Sequence, residues 1–147
     1  MTLDLMSEQT MTPEDMAALC ARAYTHSRPW AAHDFADSLD SPHALVTATS
    51  HAFVFGLVVA GEAEILALAA DPDVQRKGEA SRALALFHAL AVARGAESAF
   101  LEVAARNVPA RAFYEAKGYT VSGLRKGYYH LADGSTDDAV IMSRVLP

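Results

Sequence analysis

The chain has 147 residues, 52% of them hydrophobic and 20% charged, which is typical of one compact domain spanning residues 1–147. No apolar run approaches the roughly 20 residues that cross a bilayer. Eighteen acidic residues against twelve basic ones give a net charge of -6, which opposes nonspecific nucleic-acid binding. We therefore expect a soluble protein without a membrane or direct nucleic-acid partner, whose acidic surface attracts amines or basic peptides.

The N-terminal stretch and the cysteine count favour a cytoplasmic location. MTLDLMSEQT is acidic where a signal peptide is basic, and it lacks the long apolar stretch of such a peptide. Cys20 is the only cysteine, so no internal disulfide can form. We expect this thiol to fill the core rather than to act as a nucleophile.

The first half of the chain predicts two helices followed by three strands. Thr12 is a predicted N-cap, with Pro13 in the first turn and Asp15 three residues after the cap. A loop around Trp30 precedes a short helix over 31–39. Three β-branched or apolar runs then predict strands, the first two antiparallel: ALVTAT, FVFGLVVA and AEILALAA.

The second half predicts a long helix, a strand, a helix and a hairpin. Residues 80–94 are apolar almost all the way round, which predicts a helix packed against a sheet. Gly95 is expected to end this helix. The strand ESAFLEVAA and the helix VPARAFYEAK follow. Two long strands are joined around Asp133 and Gly134, a hairpin turn signal. The fold class is therefore α/β.

The segment DPDVQRKGEASRA predicts an anion-binding site, because it joins a strand to a helix through a short loop containing Gly78. Unpaired main-chain N–H groups at a helix start, with the helix dipole, attract phosphate. A single glycine matches neither the Walker A pattern nor the dinucleotide fingerprint. The loop has the form Gln-x-x-Gly-x-Ala instead. A solvated loop with a cap glycine is the alternative interpretation.

This loop resembles the pyrophosphate loop of the GNAT superfamily, the acyl-CoA-dependent N-acetyltransferases. The resemblance implies a mixed, twisted sheet of about six to seven strands with helices on both faces, and acetyl-CoA as the acetyl donor. It also implies that the strand before the loop separates from the neighbouring strand, and that its main-chain groups bind the pantetheine arm of the cofactor. The implied cofactor-binding residues are Leu68, Ala69 and Ala70 at the pantetheine, and Gln75, Arg76, Lys77, Gly78, Glu79, Ala80 and Ser81 around the diphosphate.

Glu79 departs from the family pattern, which usually has an aliphatic residue at that position. Facing the phosphates, its carboxylate would weaken cofactor binding by like-charge repulsion. Facing solvent, it would suit the helix start.

A second motif, NVPARAFYEAKGY, resembles the family pattern N-x-x-A-x-x-x-Y-x-x-x-G-[FY] at every fixed position. Asn107 is expected to cap the helix, and the resemblance implies that it also binds the pantetheine. Tyr114 lies two helical turns further along, and the resemblance implies that its hydroxyl is the general acid at the thioester sulfur. The alternative is an ordinary cap and a tyrosine packed beside Phe113.

Glu102 is the candidate general base. Alternation in AFLEVAA places Phe100, Glu102 and Ala104 on one face of the strand. Carboxylates in apolar surroundings hold their protons to higher pH, which suits proton abstraction from an amine. The alternative is a rim glutamate paired with an arginine such as Arg106. We expect Glu102 and Tyr114 to lie on one side of the sheet and a main-chain N–H near Ala69 or Ala70 to stabilise the thioester oxygen.

The acceptor is expected to be a peptide N-terminus. An α-amine with a pKa near 7.8 is roughly 400-fold richer in neutral form than a lysine near 10.4. The segment LRKGYYHLADGSTDDAVIM resembles the ribosomal-protein-alanine N-acetyltransferase subfamily, which modifies a small-subunit ribosomal protein. Tyr128, Tyr129 and Trp30 are then candidates for the peptide groove, or else they pack between the last strands and the helices.

Two other functions stay open at this point: a small-molecule amine acetyltransferase, and a catalytically silent acyl-CoA-binding domain. The six histidines show no metal-ligand spacing, so we expect no metal. The sequence does not indicate an oligomeric state.

Overall fold

The computed structural model describes residues 11–23, 31–74 and 78–147. Its elements follow the predicted order. The helices are α1 (Pro13–Ala23), α2 (Ala32–Leu39), α3 (Glu79–Ala93) and α4 (Val108–Ala116), with a 3-10 turn at Pro72–Val74. The strands are β1 (Ala44–Ala48), β2 (Ala52–Val59), β3 (Glu62–Ala70), β4 (Ser98–Ala104), β5 (Thr120–His130) and β6 (Thr136–Val145).

Local side-chain chemistry sets where α1 and α4 begin, as predicted. The Asp15 N–H donates to Thr12 Oγ1 over 3.1 Å, and the Thr12 N–H donates to Asp15 Oδ2 over 3.2 Å. This reciprocal pair satisfies two main-chain donors that the first turn of α1 would leave unpaired. At α4, Asn107 Oδ1 accepts the Ala110 N–H over 3.2 Å, which confirms the predicted cap.

The described strands form one mixed sheet in the order β1-β2-β3-β4-β6-β5. β3 and β4 are parallel, and every other neighbouring pair is antiparallel. One face packs against α3 and α4, in a core that contains Phe87, Leu101 and Met142. The other face packs under α1 and α2 along the first three strands, around Phe35 and Phe53. The predicted fold class, with helices on both faces, is confirmed.

Cys20 lies in the second core with no exposed surface, as its predicted role in packing requires. Trp30 and the loop residues Gln75, Arg76 and Lys77 lie outside the described residues. Within the described ranges, no helix is long and apolar enough to cross a membrane.

A β-bulge at Leu66 opens the middle of the sheet. Phe55 pairs with Ala67 while the adjacent Gly56 pairs with Ile65, so Leu66 is an extra residue in β3. Bulges bend the strand that carries them. The ladder between β3 and β4 ends at the same point, in the pair Ile65 and Leu101, whereas β4 stays paired with β6 as far as Ala104. We call the resulting gap between residues 66–70 and 102–104 the opening.

Candidate active site

Main-chain polar groups line the opening on the β3 side. The Asp71 N–H donates to the His51 carbonyl over 2.8 Å, so the main chain of Asp71 faces β2. Because the direction alternates along a strand, Ala69 also faces β2, and the main-chain groups of Leu68 and Ala70 face the opening. Of the three predicted pantetheine residues, two therefore direct their main-chain groups into this gap.

The β4 side of the opening is polar for the same reason. The Ala105 N–H donates to the Asp138 carbonyl of β6 over 2.9 Å. The alternation then directs the main-chain groups of Glu102 and Ala104 away from β6 and into the opening. Main-chain N–H and C=O groups need hydrogen-bond partners when they are shielded from water. An extended ligand with its own amide groups is suited to this gap.

The N-terminus of α3 lies beside the C-terminal end of β3. Gly78 is the N-cap, with a φ of 78° in the left-handed region that favours glycine. Gly78 has no side chain with which to cap the helix, and the first-turn N–H groups of Glu79, Ala80 and Ser81 have no partner within the helix itself. They form an electropositive end of the kind that binds phosphate.

Glu79 does not bring an uncompensated charge to this helix end. Its carboxylate accepts a hydrogen bond from the Thr49 hydroxyl and forms an ion pair with Arg82. The Thr49 hydrogen bond holds the pKa of Glu79 below its usual value, with Arg82 acting in the same direction and burial opposing both. The side chain is thus held toward the turn between β1 and β2.

Glu102 lies on the face of β4 opposite the α3 and α4 core. We call this side of β4, β6 and β5, which also carries Phe100 and Ile141, the open face. Its Oε2 is buried and accepts no hydrogen bond from any part of the chain that the structure describes. Its Oε1 is 3.9 Å from Nη2 of Arg125, which is too long for a hydrogen bond. Glu102 is therefore a carboxylate with unused acceptor capacity.

The alternative that Glu102 pairs with an arginine is met by Arg125, at 3.9 Å, but Arg106, the arginine named for it, is wrong. Arg106 pairs with Asp137, at 3.9 Å, and donates to the Thr136 carbonyl. Asp137 also accepts the Arg106 main-chain N–H, so it fixes the turn after β4.

An irregularity in β5 presents two tyrosines and an arginine on the open face. Arg125 pairs with Ala139 and Tyr129 with Asp137, so β5 carries two extra residues between them. Gly127 makes this bend with a φ of 63°, and its N–H donates to Asp138 Oδ1 over 2.8 Å. Bulges of this kind redirect side chains beside binding sites.

Tyr129 interacts electrostatically with Glu102, and Tyr128 lies beside Arg125. Tyr128 is 49% exposed, and the Arg125 guanidinium lies 5.0 Å from its ring centroid. Burial raises the pKa of Tyr129, and the charge of Glu102 adds to this shift. Neither tyrosine belongs to a buried core cluster, so the alternative that they pack under the helices is wrong. The third predicted groove residue, Trp30, is outside the described residues.

Tyr114 is buried in the core between α4, α3 and the sheet. Its ring makes edge contacts with Phe113 at 5.3 Å and with Tyr119 at 5.6 Å. Burial raises the pKa of Tyr114 above its usual value, with a smaller contribution from Tyr119. The phenol therefore keeps its proton through neutral and mildly alkaline pH, as a general acid must.

Glu102 and Tyr114 lie on opposite faces of the sheet, so the expectation that they share one side is wrong. Tyr114 packs in the same core as Leu101 and Val103, the residues on either side of Glu102. Side chains alternate along a strand, which sends Glu102 to the open face. The opening lies beside Glu102, where β4 is no longer paired with β3.

The family comparison agrees with this geometry. Residues 12–119 match the model of the "Acetyltransferase (GNAT) family". The chain belongs to the GNAT family of acetyltransferases. It is an acetyl-CoA-dependent N-acetyltransferase.

Individual relatives of this acetyltransferase agree with the predicted subfamily. It is 36% identical over 124 residues to the [ribosomal protein bS18]-alanine N-acetyltransferase of Escherichia coli K12, covering 80% of this chain and 82% of that one. The crystal structure of the ribosomal-protein-S18-alanine N-acetyltransferase from Escherichia coli superposes with a TM-score of 0.76 at 33% identity, over 88% and 84% of the two chains. Ard1 from Thermoplasma volcanium superposes with a TM-score of 0.76 at 25% identity, over 95% and 96%.

Two charged residues of the open face were missed in the sequence. Arg125 approaches Glu102, and Glu64 lies on the same face of the neighbouring strand. The alternation in AEILALAA, with Glu64 between the core residues Ala63 and Ile65, is the signal that could have found the second one. Across the described ranges, no group of three or more His, Cys, Asp and Glu side chains could hold a metal ion.

Proposed function

We propose that this acetyltransferase acetylates the N-terminal α-amine of a protein, and that the acceptor is the N-terminal alanine of a ribosomal protein in the cytoplasm. The observation that carries the proposal is Glu102, whose buried Oε2 accepts no hydrogen bond from the described residues, at the edge of an aromatic-lined open face. The relatives named for modifying alanine in ribosomal protein bS18 support the same acceptor.

The residues around the opening fit acetyl-CoA. Main-chain groups of Leu68, Ala70, Glu102 and Ala104 face the gap and would pair with the amides of the pantetheine arm. The first turn of α3 after Gly78 would bind the diphosphate through main-chain N–H groups. Asn107 uses its carbonyl oxygen for the helix cap, and its amide N–H groups are then the ones that would bind the pantetheine.

The chain supplies three chemical functions around the thioester, which itself supplies the activated acetyl group. Glu102 takes a proton from the incoming amine, directly or through one water, so that the nitrogen becomes nucleophilic. A main-chain N–H at Ala70 stabilises the charge that develops on the thioester oxygen. Tyr114 gives a proton to the departing sulfur, and its raised pKa keeps that proton available.

Exposure favours a peptide over a small amine as the acceptor. Tyr128 is 49% exposed and Arg125 is 53% exposed beside Glu102. None of the described helices packs over these side chains on the open face. The residues that follow the N-terminus of a peptide can bind along such a face. A small amine instead needs a closed pocket that buries most of its surface.

Mass spectrometry of ribosomal proteins tests the proposal. Proteins from cells with and without this acetyltransferase are compared at their N-termini. We expect one small-subunit protein with an N-terminal alanine to lose its acetyl group when the enzyme is absent. The purified enzyme is then assayed on N-terminal peptides, polyamines and aminoglycosides. An unchanged ribosomal proteome, with turnover only on polyamines or aminoglycosides, would overturn the proposal.

A further inference from the structure

Glu64 and Glu102 face the same space on neighbouring strands. Glu64 lies in β3 between Ala63 and Ile65, both of which are buried in the α3 and α4 core, so its own side chain lies on the open face. The parallel ladder pairs Glu64 with Phe100, which puts Glu102 two residues further toward the opening on that face. Glu64 thus belongs to the second-to-last residue pair of the ladder before the two strands separate.

The two carboxylates interact electrostatically. Burial raises the pKa of Glu64, and the charge of Glu102 raises it further, while Arg125 lowers it. Arg125 interacts electrostatically with both carboxylates. It is 53% exposed, lies 3.9 Å from Glu102 and is drawn over the ring of Tyr128. One loosely held guanidinium opposite two carboxylates leaves this part of the open face with a negative charge.

A primary ammonium group fits this arrangement. At neutral pH an N-terminal amine with a pKa of about 7.7 to 8.0 is mostly protonated, so it reaches the enzyme as a cation with three N–H donors. Glu102 Oε2 is buried and has no donor among the described residues. An ammonium between the strands would give that oxygen a donor and would bring a second N–H within reach of Glu64.

We propose that Glu64 is a second acidic residue of the acceptor site, which holds the protonated N-terminus of the peptide while Glu102 removes its proton. This inference rests on the proposed function, since it concerns the same acceptor. The proton passes from the ammonium to Glu102 and then to solvent. The neutral nitrogen forms its bond to the acetyl carbon and, as the carbon–sulfur bond breaks, loses a second proton to Glu102, which again passes it to solvent. The sulfur leaves with a proton from Tyr114, and Tyr114 regains a proton from solvent, so each turnover releases one proton in total.

The chain provides a matched control for the test. Glu62 lies on the same strand and face as Glu64, two residues further from the opening, and is exposed. Glu64→Gln and Glu62→Gln therefore remove the same charge from the same strand at different distances from the acceptor. Glu64→Asp keeps the charge and is the rescue variant.

Binding is measured by calorimetry with CoA present, using two versions of a peptide that begins with alanine. One version has the natural amine, and the other has a hydroxyl in its place. We expect Glu64→Gln to raise the Kd of the amine peptide about tenfold, the size expected for one charge-assisted hydrogen bond. The hydroxyl peptide and the Kd of CoA should not change. Glu64→Asp should recover part of the affinity, and Glu62→Gln should match the parent enzyme.

The outcomes separate this inference from the proposed function. If the parent enzyme acetylates the alanine peptide but Glu64→Gln binds it as Glu62→Gln does, only the role of Glu64 is overturned. Equal weakening of the amine and hydroxyl peptides would also overturn it, because a general structural effect would then explain the loss. If the parent enzyme acetylates no peptide N-terminus, the proposed function fails and the inference fails with it.

Discussion

Glu102 and Tyr114 lie on opposite sides of the sheet: Glu102 extends from β4 to the open face, and Tyr114 of α4 packs in the core that contains Leu101 and Val103. Glu102 has a buried oxygen without a described donor, and the pKa of Tyr114 is raised by burial. A base on one face and an acid on the other suit a reaction in which nitrogen adds to the acetyl carbon beside the base and sulfur, bound to the same carbon, leaves beside the acid. We propose that one ligand contacts both through the opening between the strands.

Removing the Tyr114 hydroxyl should slow the reaction without unfolding the protein. Tyr114→Phe keeps the ring contacts with Phe113 and Tyr119. Loss of a general acid lowers kcat about a hundredfold, and the Kd of acetyl-CoA should stay the same. Tyr119→Phe is the control, since it breaks the 2.7 Å contact with His88 Nε2 and should cost about 1 kcal/mol of stability but leave kcat unchanged. Equal losses of kcat in both variants would contradict the assignment.

Replacing Glu102 should separate activity from stability. In Glu102→Met the buried oxygen without a described partner is removed and the volume is nearly kept. Such an atom costs about 1 kcal/mol or more in the folded state, so urea denaturation should show a variant more stable by roughly that amount. Acetyl transfer at saturating substrates should fall about a hundredfold. A variant that is inactive and also less stable than the parent would indicate a structural role for Glu102.

Replacing Gly78 should weaken cofactor binding in addition to lowering the stability of the fold. A side chain at a φ of 78° costs roughly 1 to 2 kcal/mol, and a Cβ here would lie 3.2 Å from Arg82 Nη1. Gly134 has a φ of 88° in the hairpin turn, and a Cβ added there would meet nothing within 4 Å. Both alanine variants should lose similar stability, but only Gly78→Ala should weaken acetyl-CoA binding in a titration. Equal cofactor affinities would remove the first turn of α3 from the site.

His88 should make the fold sensitive to acid. Burial, followed by the charge of Arg144, lowers the pKa of His88 to about 4 from 6.5. The unfolded chain therefore takes up this proton first as the pH falls, so the stabilisation is complete above pH 6.5 and is lost between pH 6.5 and 4. After allowance for partial exposure, the loss is about 2 kcal/mol. Urea denaturation of His88→Gln, which cannot titrate, should show a smaller loss over that range; an unchanged pH dependence would contradict this.

The sequence predicted the parts of the fold that depend on local patterns. The Thr12 and Asn107 caps, the glycine at the start of α3 and the order of the elements follow from residue types that act on their immediate neighbours. The relation of Glu102 to Tyr114 was not predicted correctly, because it depends on which face of the sheet α4 covers. That choice is made by packing of the whole core.

The irregularities in strand register were not predicted from the sequence either. The bulge at Leu66 and the bend at Gly127 depend on how two strands pair, and no single-strand pattern contains that information. Glu64 and Arg125 were missed for the same reason. Each is an ordinary charged residue in its own strand and gains a role only when the pairing places it beside Glu102.

A crystal structure with a bisubstrate analogue, CoA joined through its acetyl group to the amine of an alanine peptide, tests the central claim most directly. We expect the linking atoms to lie in the opening, with the sulfur about 3 Å from the Tyr114 hydroxyl and the nitrogen within reach of Glu102 directly or through one water. The peptide should continue over the open face past Tyr128 and Tyr129. A linker bound outside the opening, or a peptide on the α3 and α4 face, would contradict the account.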